Sequence, residues 1–583
     1  MRLVVPFVVL ALAAGASIAP AAGAAGRPTC LVSNQRTGVG TRSLQAAVDT
    51  ASPGDTLIVK GTCIGGTTIP RSLTIRGLSN PAFGQATLDG GGAQRVLFVD
   101  YFEAGRAGHS LTLDRLTIKH GLANDGNGGG GILMQGGTVT VQDSVVGANS
   151  SELGGGGIEV GGGALTLVRT MVRDNVAGDR GGGISAAGSV TLMDSVVRGN
   201  TASFVGGGLA MNGGTITIEG SSVTGNRGAA GGGIYNAGAL TMTGSTVSAN
   251  TSTGEGGGIW DAWTASATIT DSAIDGNTAT SAGGGISNRG TLTVTDSSVD
   301  GNVTASVGGG IYNYIGTATL GSTSVSGNSA LSGGGIGSDG STYLTAVTVT
   351  RNSASVNGGG IIVAANLLNA PSSMTISGST ITSNTAANGG GINVFGTLTF
   401  EGAATTVGGN AATGAGGGVL YTISYDPDTG SVTGGCPTSL GGNVVYAPSN
   451  TPTDYEGFGC GMPVPQLATR GTEDYTGSDG HPYTRYDLTI TNWASFSADL
   501  FQPAPDLPPC GLNTSASRTW VLIHDGVTAS AVYGFCALST PEDLTRIWFA
   551  MPLGTPPPAS VYVTITDRRT GSVVTSNSVS FAP

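Results

Sequence analysis

Charge is what this sequence has least of. Only 10% of its 583 residues are Asp, Glu, Lys or Arg, and two of the basic ones are lysine, Lys60 and Lys119. No basic patch interleaves with aromatic residues, which argues against a nucleic-acid partner. Aromatic residues make up 5% of the chain. Helix-forming runs of Ala, Glu, Lys and Leu are almost missing after the first fifty positions, which excludes an α-rich fold. No segment offers eighteen consecutive apolar residues, so no membrane span is expected. The six cysteines contain no Cys-x-x-Cys spacing, which argues against a zinc or dithiol redox centre.

Glycine is abundant instead, with 103 residues. Glycine this dense means either low complexity or a repeat architecture. The apolar residues decide, because they keep register with the glycines and a disordered linker has no reason to do so. Twelve copies of a Gly-Gly-Gly-apolar signature end in Ile132, Ile158, Ile184, Leu209, Ile234, Ile259, Ile286, Ile311, Ile336, Ile361, Ile392 and Val419, at intervals of 25 to 31 residues. From the second copy an Asn stands eight or nine residues earlier, from Asn149 to Asn410. Three residues before that Asn there is always Val or Ile. Five before it there is Ser or Thr, except at Val347.

Each unit reads as three short strands, as in Leu292-Thr293-Val294, Ser297-Ser298-Val299 and Gly310-Ile311-Tyr312. Such strands are too short to stand alone. Stacking one coil on the next pairs them in parallel at a repeat of about 4.8 Å. Alternation sends Leu292, Val294, Val299 and Ile311 inward, and Thr293, Ser298 and Tyr312 outward. The Asn residues are expected to adopt a left-handed backbone and to bond to the equivalent Asn one coil away. The glycines serve corners where backbones approach closely.

The array resembles the pectin-lyase-like right-handed β-helix superfamily. It is most similar to the repeats of polymorphic outer-membrane proteins, whose Gly-Gly-Ala-apolar and Phe-x-x-Asn motifs appear here as Gly-Gly-Gly-Ile and Val-x-x-Asn, as in Val197-Arg198-Gly199-Asn200. The resemblance covers roughly residues 40 to 460 and implies an all-β, right-handed parallel β-helix. No amphipathic barrel follows, so no outer-membrane anchor is carried over. Leu44, Ala47, Val48 and Ala51 lie on one face of a short helix, which resembles the N-terminal cap of extracellular β-helix proteins and would cover an exposed strand edge.

The organisation expected is a signal peptide over 1–24, a capped β-helix over 30–461 and a β-sandwich over 466–583. The signal rests on Arg2, the apolar run Val4 to Leu12 and the small residues Ala22-Gly23-Ala24; a secreted or cell-surface protein follows. The cysteines fall into three neighbourhoods, Cys30 with Cys63, Cys436 with Cys460 and Cys510 with Cys536. Six cysteines allow fifteen pairings. The local ones are favoured, because no cysteine lies within the array that would hold the pairs apart. From Met462 glycine triplets stop, prolines rise and longer strands appear, generically similar to immunoglobulin-like or fibronectin-like modules.

Chemistry is sparse. Lyases of the superfamily use calcium with an Arg or Lys base, and hydrolases use paired Asp residues with a His; neither signature is present. The four histidines lie outside the main array, and His120 is expected to be structural or solvent-facing. Two features stand out. Asp271 with Asp296, and Asp275 with Asp300, occupy matching registers in consecutive coils, where they are either solvated pairs or a weak Ca²⁺ site. Tyr235, Trp260, Ser287 and Tyr312 occupy one outward register, with Trp263 and Tyr314 close by. Exposed rings of this kind pack on one another or stack on sugar faces.

No cofactor is required on this reading, and a monomer is expected. The outer faces are rich in Ser, Thr and Gly, which favours non-catalytic binding or adhesion, with a polysaccharide or cell-surface glycan as the partner. A divergent polysaccharide lyase or glycoside hydrolase and a purely structural surface protein are the alternatives. An enzyme would need at least three ionisable groups converging in one groove.

Overall fold

The computed structural model describes residues 30–101, 108–364, 372–421, 465–493, 518–535, 539–568 and 572–581, with a few short stretches between. Residues 30–421 form a right-handed parallel β-helix belonging to a solenoid of about 13 turns. Each coil repeats the same set of strands. In the coil after Gly285 these are Ile286–Asn288, Thr291–Thr295, Ser298–Asp300 and Val303–Thr304. Each pairs in parallel with its equivalent in the next coil. The fourth strand was not expected. It is two residues long and carries no alternation, so nothing in the pattern announces it.

The interior is apolar, as the alternation requires. Leu292, Val294, Val299 and Ile311 are fully buried, and one continuous core runs from Cys30 to Val419. Burial of each such side chain contributes about 1.5–3 kcal/mol.

The Asn row forms the expected ladder. Asn302 donates from Nδ2 to Asn328 Oδ1 at 3.0 Å and to the Ile274 carbonyl at 2.8 Å, while its backbone N–H donates to the same Asn328 oxygen at 2.8 Å. The side-chain link recurs from Asn149 to Asn410. A buried corner that would orphan backbone groups is thereby satisfied. The left-handed backbone, however, belongs to the residue before the Asn. Ala148, Asp174, Gly199, Ala249, Arg351 and Ser383 all have φ between 53° and 63°. The Asn is free to extend inward because its predecessor makes the bend.

A second left-handed corner precedes the Ser/Thr row. There the hydroxyls of Ser144, Ser195, Ser221, Ser245, Ser272 and Ser297 accept backbone N–H groups from the coil before. In the glycine triplet 181–183, Gly181 has φ 59°. A Cβ on Gly182 would lie 2.5 Å from the Gly207 carbonyl oxygen, and one on Gly183 would lie 2.7 Å from that of Gly208. Handedness demands the first glycine; close approach between coils demands the other two.

The N-terminal end is capped. Leu44–Thr50 is an α-helix with Ser43 as its N-cap, and it buries Leu44, Ala47 and Val48. Cys30–Asn34 pairs antiparallel with Thr56–Ile64, and Cys30 is disulfide-bonded to Cys63. Cys436, Cys460, Cys510 and Cys536 lie outside the described residues.

Towards the C-terminus, Leu467–Thr476, Pro482–Ile490 and Ile547–Pro552 form one antiparallel sheet. Thr519–Asp525, Ala531–Phe535, Val561–Asp567 and Ser572–Thr575 form another. Both contribute to one core that includes Leu488, Ile490, Val521, Phe549 and Val563. The strand Leu467–Thr476 was not anticipated, because beyond Ala468 its residues are largely exposed and polar. Among the described residues no helix is long and apolar enough to cross a membrane.

Candidate functional site

The residue after each triplet points into the core, and the next points outward. Tyr235, Trp260, Ser287 and Tyr312 hold that outward position in four coils in register. The first glycine of each triplet doubles back against this position. A Cβ on Gly256 or Gly308 would lie 2.8 Å from the Cβ of Trp260 or Tyr312.

The rings meet in pairs. Tyr235 and Trp260 lie 5.2 Å apart, Tyr312 and Tyr314 5.9 Å, and Trp263 and Tyr314 6.1 Å in an edge contact. At the centre is Arg289, whose guanidinium carbon is 5.7, 5.6 and 4.8 Å from the ring centres of Trp260, Trp263 and Tyr314. Arg289 Nη2 donates to Glu255 Oε1 at 2.7 Å, and the Ser287 hydroxyl donates to Glu255 Oε2 at 3.1 Å. A cation over several ring faces is attracted by their quadrupoles. The ion pair holds the guanidinium in place.

The sequence pattern located the rings and missed the ion pair that organises them. A signal was present. Arg289 is the sole arginine between Arg227 and Arg351, and Glu255 the sole glutamate between Glu219 and Glu401, yet the two meet.

Tyr312 differs from expectation. It was expected to be an exposed outward ring, and it is 8% exposed. The next coil carries Gly337 beneath it, where a Cβ would come within 3.3 Å of Tyr312 Cδ2. That space lets the ring lie down, and its hydroxyl donates to Asp339. Burial, followed by the Asp339 carboxylate, pushes the Tyr312 phenol up. Burial likewise raises Asp339 above the ordinary carboxylate range. Trp263, by contrast, is 51% exposed, while the Trp260 Nε1–H is buried without a hydrogen-bond partner.

Behind this face the core changes character. The third residue of the strand is apolar in earlier coils, as with Val160, Ala186 and Met211. In the aromatic coils it becomes Asn236, Asp261, Asn288, Asn313 and Ser338, all fully buried. Asn236 donates to Asp261 at 2.6 Å, and Asn288 to Asn313 at 2.8 Å. Asp261 Oδ2 has no partner, and burial pushes this carboxyl up to about 7. In the outward column itself Glu159, which is in register with Ser185, is also pushed by burial to about 7.

Asp271 and Asp296 sit at left-handed corners, with φ of 49° and 50°. Asp275 and Asp300 are cross-strand neighbours. Asp300 Oδ1 accepts from the Ser326 N–H at 3.0 Å and hydroxyl at 2.7 Å. Asp275 Oδ1 is buried and unpartnered, and burial with the Asp300 charge raises its pKa. Among the described residues no group of three or more His, Cys, Asp or Glu side chains converges as a metal site. His120 is half exposed and lies 3.1 Å from Asp89, with Lys119 3.7 Å from the same carboxylate.

No protein-family model matches the chain, and no curated protein matches it. A search of solved structures finds similarity to the enzymatically active domain of tailspike protein 2 of bacteriophage CBA120, at 10% identity and a TM-score of 0.23, over 92% of this chain and 73% of that one. So loose a superposition carries no argument about activity.

Proposed function

We propose that the chain is an extracellular glycan-binding β-helix protein that recognises a polysaccharide along the face from Tyr235 to Tyr314. The observation that carries this reading is the ring cluster around Arg289 and Glu255. Aromatic faces supply apolar stacking surface for sugar rings, while the ion pair offers directional donors and acceptors for hydroxyls. The buried Trp260 Nε1–H is a further donor that a ligand oxygen or a water would satisfy. The Cys30–Cys63 disulfide supports an oxidising compartment.

The test is binding to a glycan array, with and without Ca²⁺. The double substitution Trp260→Ala and Trp263→Ala is expected to abolish binding while leaving the melting transition cooperative. Unchanged binding by that variant would refute the reading. Loss of binding on chelation, reproduced by Asp275→Asn with Asp300→Asn and not by Asp271→Asn with Asp296→Asn, would assign Ca²⁺ to Asp275 and Asp300.

One observation supports a second reading, glycoside hydrolysis on the same face. Glu255 pairs with Arg289 and Tyr312 with Asp339 on this face, and burial raises the Asp339 carboxyl above its ordinary value, the direction a general acid needs. Release of reducing ends from a bound polysaccharide, abolished by Asp339→Asn, would favour hydrolysis over binding alone.

A further inference from the structure

A second ring cluster lies on the C-terminal sheets. Tyr475 and Tyr483 are cross-strand neighbours on Leu467–Thr476 and Pro482–Ile490, and their rings stack at 5.9 Å with an interplanar angle of 28°. Tyr475 meets Trp548 edge-on at 6.4 Å, and Trp548 stacks on Tyr533 at 5.5 Å and 27°. Four rings thus form a continuous strip, which starts on the outer face of one sheet and reaches the edge strand Ala531–Phe535 of the other. Tyr475 is 36% exposed and Tyr533 43%. The inward neighbours Tyr486 and Phe549 belong to the core instead, so the strip is not simply spillover of core packing.

The strip has the same chemistry as the helix face. The Arg485 guanidinium lies 5.0 Å from the centre of the Trp548 ring, and its Nη2 is held by Asp487 Oδ1 at 2.7 Å. On the helix Arg289 lies over rings and is held by Glu255. With aromatics at 5% of the chain, two clusters each built on an Arg–carboxylate pair are a repeated device. In both, the arginine charge is already matched by a carboxylate, and the whole chain carries a net charge of −12. Neither cluster therefore offers a cationic surface to a polyanion. Ring faces with neutralised polar groups fit an uncharged sugar polymer.

We infer that Tyr475, Tyr483, Trp548 and Tyr533 form a second stacking platform for an uncharged polysaccharide, so that one chain grips one polymer at two places. The ligand class rests on the reading of the helix face; the platform itself does not. Two tethered sites raise apparent affinity for a polymer by about 10²–10⁴ over either alone, whereas a short oligosaccharide reports each site separately.

The experiment uses the full chain with insoluble cellulose, chitin and starch, and with the matching soluble hexasaccharides. Wild type is expected to bind two hexasaccharides per chain. Trp548→Ala with Tyr475→Ala, and separately Trp260→Ala with Trp263→Ala, are each expected to leave one. Each pair of substitutions is expected to weaken polymer binding by about a hundredfold or more, and the fourfold variant to abolish it. Tyr483→Ser, checked for an unaltered thermal transition, serves where the Trp548 variant unfolds. One hexasaccharide per chain, lost only with the helix-face substitutions, would overturn the second platform and leave the helix reading intact. One lost only with Trp548 and Tyr475 would do the reverse. No binding to any of the three polymers would overturn both.

Discussion

Asp261 stands in a buried row whose other members, Asn236, Asn288, Asn313 and Ser338, do not ionise. Burial pushes its carboxyl up to about 7 in the fold, against about 3.9 in the unfolded chain. Below about pH 3 both states are protonated and the residue is neutral to stability. As pH rises towards 7 the unfolded chain gains a charge that the folded one resists, and the loss is complete once the folded carboxyl ionises. Asp261→Asn is therefore expected to stabilise the protein by on the order of 2–4 kcal/mol at pH 8. Most of that gain disappears at pH 4, as urea denaturation at the two pH values would show. An amide here would reach towards Asn288, its neighbour in register, as Asn288 reaches Asn313. Interior ladders respond differently where they already work. Asn226→Ala removes the acceptor for Asn200 and the donor to the Val197 carbonyl and to Asn250. Leaving such groups buried and unpaired costs about 1–3 kcal/mol each, so this variant is expected to lose several kcal/mol in the same assay.

At the level of the element, one position in the Ser/Thr row carries no hydroxyl. Val347 has no oxygen to offer the Thr323 N–H, although its own N–H donates to the Ser379 hydroxyl at 3.1 Å. Val347→Thr supplies the acceptor at nearly constant volume and is expected to add about 1 kcal/mol, measured by the shift in denaturation midpoint. At the N-terminal end, the Cys30–Cys63 disulfide closes a 33-residue interval that includes the capping helix. Replacing both cysteines by Ala is expected to cost about 3–4 kcal/mol. Hydrogen exchange is expected to quicken first in Leu44–Thr50.

Much of this was legible in the sequence. Val197, Asn200 and the glycine triplets repeat with a period that only a stacked coil satisfies, and Leu44, Ala47 and Val48 mark the cap. Contacts made through shape were not legible. Tyr312 sinks because the next coil carries Gly337, and Arg289 finds Glu255 across 34 residues. Periodicity reports which face a side chain takes, and it is silent on what the neighbouring coil leaves open. The bend at Ala148 or Asp174 escaped for a related reason, since several residue types serve there and only the Asn beside it is constant.

Among the described coils, strand pairing joins nearest neighbours, so stability behaves approximately as a sum of coils and their interfaces. Removing residues 175–199 joins Asp174 to Asn200, keeps both corners in register and leaves Asn149 facing a new Asn. The shortened chain is expected to fold cooperatively and to bind glycan as before, because coils 235–314 are untouched. Removing only residues 175–187 shifts inward residues outward and is expected to abolish the cooperative transition by circular dichroism.

The Asn ladder also has a direction. In every link the earlier coil donates and the later one accepts, so no coil is satisfied until its successor has been laid down. A chain that winds up in the order in which it emerges carries a row of waiting donors at its advancing front. Each new turn answers the last and poses the same demand again, so the two ends of a partly wound helix differ in chemistry, open donors at one and open acceptors at the other.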